Sequence, residues 1–168
     1  MMKYAVLFLI LIVELIFSST VLQFFSFFGS APEMLLITIM LYSIIFRGKE
    51  GLVLAVIIGI LSDILYGPFI GVNTIAFSLV AVSIYWVSSK FSQQSILTSV
   101  LCLALTLIIY NGLVYILLLL FQGGIPWMIY LRRFNLQYLI INLIVMLIMR
   151  YFILKLSQHP DFTSDVLV

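Results

Sequence analysis

The chain alternates between long apolar runs and short polar breaks. Six runs approach the roughly 20 residues a helix needs to cross about 30 Å of hydrocarbon. They cover residues 4–28, 31–46, 51–66, 72–89, 96–121 and 134–156. Backbone N–H and C=O groups in lipid must be paired within the segment, which predicts helices. Strands of a membrane barrel would alternate in runs of about ten, and the sequence does not alternate that way.

The breaks between the runs are specific. Ser30-Ala31-Pro32-Glu33 has the form of a capping box, with Ser at the cap, Glu three residues on and Pro in the first turn. Arg47-Gly48-Lys49-Glu50-Gly51 predicts a tight charged turn, and Gly67-Pro68 ends the third segment. Residues 90–95 form a short polar loop. Gly123-Gly124-Ile125-Pro126-Trp127 breaks the fifth segment, and Trp127 and Tyr130 suit an interfacial aromatic belt. Segments two and three are short, about 24 Å each at 1.5 Å per residue, and form a hairpin. Short, glycine-interrupted spans either thin the local bilayer or place a transporter's binding site.

Composition narrows the class. Of 168 residues, 65% are hydrophobic and 8% charged, with mean hydropathy +1.32. A soluble domain carries about 25% charged residues. A soluble enzyme, a nucleic-acid binder and a disordered chain are all poor fits. The expectation is an all-α polytopic membrane protein: one six-helix transmembrane domain over residues 1–156 and a polar cytoplasmic tail over 157–168. Net charge is +2, too mild to suggest nucleic acid.

Cations set the orientation. With the amino terminus inside, Lys3, Arg47, Lys49, Lys90, Arg150 and Lys155 lie on the cytoplasmic side, and Arg132 and Arg133 outside. Short loops rich in Lys and Arg stay in the cytoplasm, so both termini are expected there. The first segment reads as an uncleaved span: Glu14 interrupts its apolar core and no Ala-x-Ala-like site follows.

The third segment carries the clearest pattern. Gly51, Ala55, Gly59 and Asp63 recur every four residues, and Ser62 joins them, so they share one helix face. Small residues let helices approach closely where lipid gives no hydrophobic drive. That face either packs against protein or lines a substrate path. Asp63 costs roughly 2.5–3.5 kcal/mol at a helix centre. It could cap a neighbouring helix or pair with Arg132 or Arg133 on the outer side. Glu14, near mid-bilayer, either anchors a partner's helix or bonds to a Ser, Tyr or Asn of another segment.

Polar stripes run along three further segments: Thr74, Ser78, Ala81, Tyr85 and Ser88; Ser99, Cys102, Thr106 and Tyr110; and Asn135, Tyr138, Asn142 and Met146. They point to a bundle interior bonded across helices, or to a solvated cavity. Chemistry is thin. Cys102 and His159 lie far apart, so no metal centre is expected. The sequence has no Gly-x-Ser-x-Gly elbow and no phosphate loop. Tyr110-Asn111 is too short a signal to build on. Neither catalysis nor a cofactor is expected.

Pro32-Glu33-Met34-Leu35-Leu36, then Arg47-Gly48 and Gly51, then Gly59-x-x-x-Asp63, then Gly67 and Gly71, resemble the rod shape-determining protein MreD family. Asn142 resembles an Asn often found in that family's last span. The family usually has Asp after the Pro, where this chain has Glu33. The resemblance implies a non-enzymatic protein of the bacterial inner membrane, part of the rod complex or elongasome. Its implied partners are MreC and, through it, MreB, RodA and a class B penicillin-binding protein, together with membrane lipids. The implied fold is similar to the substrate-binding subunits of energy-coupling-factor transporters. Under this reading Glu14, Pro32, Glu33, Gly51, Ala55, Gly59, Asp63, Gly71 and Asn142 pack helices or meet partners. The alternative is a small solute carrier or the vitamin-binding subunit of such an importer, with Asp63, Tyr85, Tyr110 or Asn142 as ligands. Against it, Ala5 is followed by Leu9 where those subunits often carry Ala-x-x-x-Ala.

Overall fold

A computed structural model describes residues 12–16, 18, 31–46, 50–67, 69–90, 95–122 and 135–157. Among these the chain is all-helical, without strands. Residues 12–16 lie in α1. The other helices are α2 (Met34–Ile45), α3 (Glu50–Tyr66), α4 (Val72–Ser88), α5 (Ile96–Gln122) and α6 (Leu136–Ser157). Two helical stretches, Ile96–Leu120 and Leu136–Lys155, are long and apolar enough to cross a membrane. Shorter apolar helices cover Met34–Ile45, Gly51–Leu65 and Val72–Ser88.

The second helix is the hub. Its twelve residues span about 18 Å, and every one from Leu35 to Ile45 is buried. It packs against α3, α4, α5 and α6. A helix wrapped by its neighbours needs no apolar length to match a bilayer, which accounts for its shortness. It also begins later than the capping-box reading required. Residues 31–33 are not helical, and Glu33 stands at the N-cap without a side-chain cap bond. Pro32 and Glu33 therefore precede the first turn, and Ser30 lies outside the described residues.

Close approach at α3 follows from its glycines. A Cβ on Gly59 would lie 2.5 Å from Thr74 Cα in α4. A Cβ on Gly51 would lie 2.6 Å from Ser43 Oγ in α2. The two ends of one small-residue face thus meet different helices, and Ala55 between them is fully buried. Gly71 turns the chain from α3 into α4 at φ +105°, a conformation that L side chains rarely adopt. By contrast α5 and α6 touch little. Between them lies an apolar crevice of about 200 Å³.

From α2 to α6 successive helices run antiparallel, with Gly51 against Ser43, Asp63 against Gly71, Tyr110 against Asn73 and Arg150 against Ser99, so this part of the molecule has two ends. Glu33 and Asp63 lie at one, where α2 starts and α3 finishes. Lys90, Arg150 and Lys155 lie at the other, toward the carboxyl ends of α4 and α6. Arg150, counted above among the flanking cations, is a buried residue inside α6, and it donates through Nη1 to Ser99 Oγ in α5. The flanking cations Arg47 and Lys49, the belt residues Trp127 and Tyr130, the pair Arg132 and Arg133, and the tail beyond Ser157 lie outside the described residues.

Candidate functional site

The first four N–H groups of a helix have no partner within it. Gly71, at the N-cap of α4, has no side chain to supply one. Asp63 supplies it from the last turn of α3. Its Oδ2 accepts from Gly71 N–H at 2.8 Å and from Thr74 N–H at 3.0 Å. It also accepts from the Thr74 hydroxyl at 2.6 Å, while Oδ1 accepts from Asn73 N–H at 2.8 Å. Four donors face one carboxylate, which suits a group that only accepts. Negative charge at a helix N-terminus is also favoured by the helix dipole. Asp63 is 2% exposed. Of the roles open to it from sequence, the structure displays the cap.

The site extends into α5. Tyr110 OH donates to Asn73 Oδ1 at 3.1 Å, and its ring lies 5.4 Å from that of Phe77. The next residue, Asn111, reaches the opposite neighbour. Its Nδ2 donates to Leu107 O at 2.8 Å and to Tyr138 OH in α6 at 3.3 Å. One turn on, Asn142 Nδ2 donates to Tyr138 O at 2.8 Å, and its Oδ1 accepts from Glu33 N–H at 2.9 Å. A polar network thus joins the starts of α2 and α4 to the middles of α5 and α6. Asn142 contributes to α2 what Asp63 contributes to α4, from 109 residues away.

Glu14 sits apart from this network. It is buried, and its Oε1 accepts from the Thr38 hydroxyl of α2 at 3.0 Å. Its Oε2 is buried without a hydrogen-bond partner among the described residues. The bond to Thr38 ties α1 to the hub.

The residues singled out from sequence therefore divide. Gly51, Ala55, Gly59, Ser62 and Asp63 are all buried. Ser99, Cys102 and Thr106 are buried on one side of α5, and Tyr138, Asn142 and Met146 on one side of α6. Tyr85 and Asn135, assigned to the same stripes, are exposed. The four groups considered as solute ligands do not converge. Asp63 faces α4's backbone, Asn142 faces α2's, Tyr110 holds Asn73, and Tyr85 points outward. Reasoning from sequence missed Thr38, Asn73 and Thr74 as partners. It also set aside Tyr110-Asn111, whose two side chains link α4 to α6. Thr74 three residues after Gly71 was the available signal, since that spacing suits a helix start.

No curated protein and no solved structure matches the chain, so the likeness to energy-coupling-factor subunits gains no support from known folds. A family model does match, that of the rod shape-determining protein MreD, over residues 1–159. That match covers nearly the whole chain, and the chain belongs to the MreD family.

Proposed function

We propose that the chain is a non-enzymatic membrane scaffold of the bacterial rod complex. It crosses the inner membrane six times with both termini in the cytoplasm. It holds the single span of MreC and, through MreC, positions MreB, RodA and a class B penicillin-binding protein during sidewall synthesis. Family membership makes rod shape determination the process served. The cation count along the sequence supports the orientation, with Lys3, Arg47, Lys49, Lys90 and Lys155 on the inner side against Arg132 and Arg133 outside.

The observation that carries the scaffold reading is the engagement of Asp63. Its oxygens receive four hydrogen bonds from α4. A carboxylate so engaged holds backbone in place and has little capacity left for a transported ligand or a proton relay. A molecule built this way offers its partners a fixed surface.

Affinity purification from the native membrane tests the proposal, with the co-purifying proteins identified by mass spectrometry. MreC and a rod-complex synthase are expected in the eluate. An eluate holding a pair of ATPases and no rod-complex protein would overturn the scaffold reading in favour of an importer subunit.

A further inference from the structure

Two stretches at the Asp63 end of the molecule require opposite surroundings. Residues 69–71, between α3 and α4, form a turn, and Ile70 within it is 83% exposed. Irregular backbone that faces outward does not occur in hydrocarbon, because nothing there can pair its N–H and C=O groups. The turn therefore lies among headgroups or in water. The second half of α5 requires the reverse. Tyr110 OH donates to Asn73 Oδ1, which sets Tyr110 level with the start of α4. From there α5 runs on to Gln122, about 18 Å farther. That stretch carries no charged residue, and Ile116 and Leu120 on it are 56% and 73% exposed. Such a surface belongs in hydrocarbon.

The exposed apolar bands differ in height to match. On α3 the band runs from Leu52 to Leu65, about 20 Å. On α5 it runs from Ile96 to Leu120, about 36 Å. A bilayer core of about 30 Å is too thick for the first and suits the second once that helix tilts. An ordinary tilt of about 20° shortens the α5 band by only about 2 Å, so tilting does not level the two.

We propose that the α3–α4 face thins the bilayer beside it. Phospholipid headgroups at the Asp63 end are drawn down to the 69–71 turn, so the hydrocarbon along α3 and α4 is about 10 Å thinner than the usual core. Along α5 it keeps its full height. Lipid is the occupant because both ends of this face suit headgroups. Trp86 is exposed near the end of α4, with exposed Lys90 one turn beyond it, and the polar turn lies about 22 Å away along the helix. A partner's span or a second copy is the competing occupant, and a span of ordinary length would enclose the turn without solvating it. The thinning presupposes that the chain spans the membrane, as proposed above, and is independent of which proteins bind it.

The test uses the full chain, reconstituted in vesicles of dioleoyl phosphatidylcholine, in a Cys102→Ser background. Ile70→Cys, Leu79→Cys and Ile116→Cys, each at an exposed position, carry a nitroxide one at a time. Electron paramagnetic resonance then reads accessibility to oxygen, which concentrates in hydrocarbon, and to nickel ethylenediaminediacetate, which stays in water. The Ile70 site should be several-fold more accessible to nickel than the Ile116 site, although Ile116 lies farther toward that end of the molecule. The Leu79 site, midway along the α4 face, should favour oxygen. A flat boundary gives the reverse order at Ile70 and Ile116. That order, or both sites in hydrocarbon, or both in water, would overturn the thinning. A Leu79 site shielded from both reagents would also overturn it, by showing that protein covers the face. A Leu79 site in water would instead sink the membrane-spanning reading itself.

Discussion

The α3–α4 pair and the α5–α6 pair are both antiparallel neighbours, yet they are built on opposite principles. In the first, Gly59 brings two backbones so close that no Cβ fits between them, and a carboxylate stitches one helix to the start of the next. In the second, leucines and a valine face one another across an open crevice. Lipid gives helices no hydrophobic reason to associate, so dispersion at close range and hydrogen bonds must do it. The pair with small residues and a cap is tight. The pair with bulky apolar walls is linked, among the described residues, at points such as Asn111 to Tyr138 and Arg150 to Ser99. Rigidity thus lies in α3–α4 and around the α2 hub, and accessible apolar surface lies along α5–α6.

Substitutions can break this contrast in graded steps. Gly59→Leu should have the largest effect, because the new side chain starts 2.5 Å from Thr74 Cα. A loss of about 3 kcal/mol is expected, read as a lower denaturant midpoint and little folded protein in the membrane. Asp63→Ala removes the cap and leaves the N–H groups of Gly71, Asn73 and Thr74 without a partner. About 2–3 kcal/mol should be lost in detergent unfolding. Gly71→Ala forces a side chain onto φ +105° and should cost about 1–2 kcal/mol. Asn142→Leu deletes one cross-helix bond to Glu33 N–H, and about 1 kcal/mol should go with it. Gly112→Ala completes the comparison. A Cβ there meets nothing within 4 Å on α5, so the melting temperature should hold or rise, by up to about 1 kcal/mol in stability. If Gly112→Ala destabilised as much as Gly59→Leu, the distinction between the tight and open pairs would fail.

The helices were legible because apolar runs and glycine or proline breaks are local properties of sequence. Four-residue spacing likewise places Gly51, Ala55, Gly59 and Asp63 on one face. Which neighbour each meets is not local. Gly51 goes to α2 and Gly59 to α4, and nothing in their spacing distinguishes them. The partners of Asp63 are mostly backbone N–H groups, which carry no residue signature. Asn142 reaches Glu33 across 109 positions. Two readings erred for a physical reason. Tyr85 was put inside because it shares a stripe with serines, but an aromatic near a helix end is equally at home outward, beside exposed Trp86. Arg150 was counted as a loop cation, whereas its long side chain is taken up between α5 and α6.

The most direct measurement compares Asp63→Asn with the native chain in two assays on the same cells: the amount of folded protein in the membrane, and restoration of rod shape. Asn keeps one acceptor oxygen but turns an N–H donor toward a donor that α4 already presents, and it gives up the negative charge, so the cap is weakened while size is kept. If Asp63 acts as a cap, shape should fall in proportion to folded protein, and raising expression should restore both. A variant that accumulates folded at the native level yet leaves cells round would contradict the account, because Asp63 would then act in something other than holding α4.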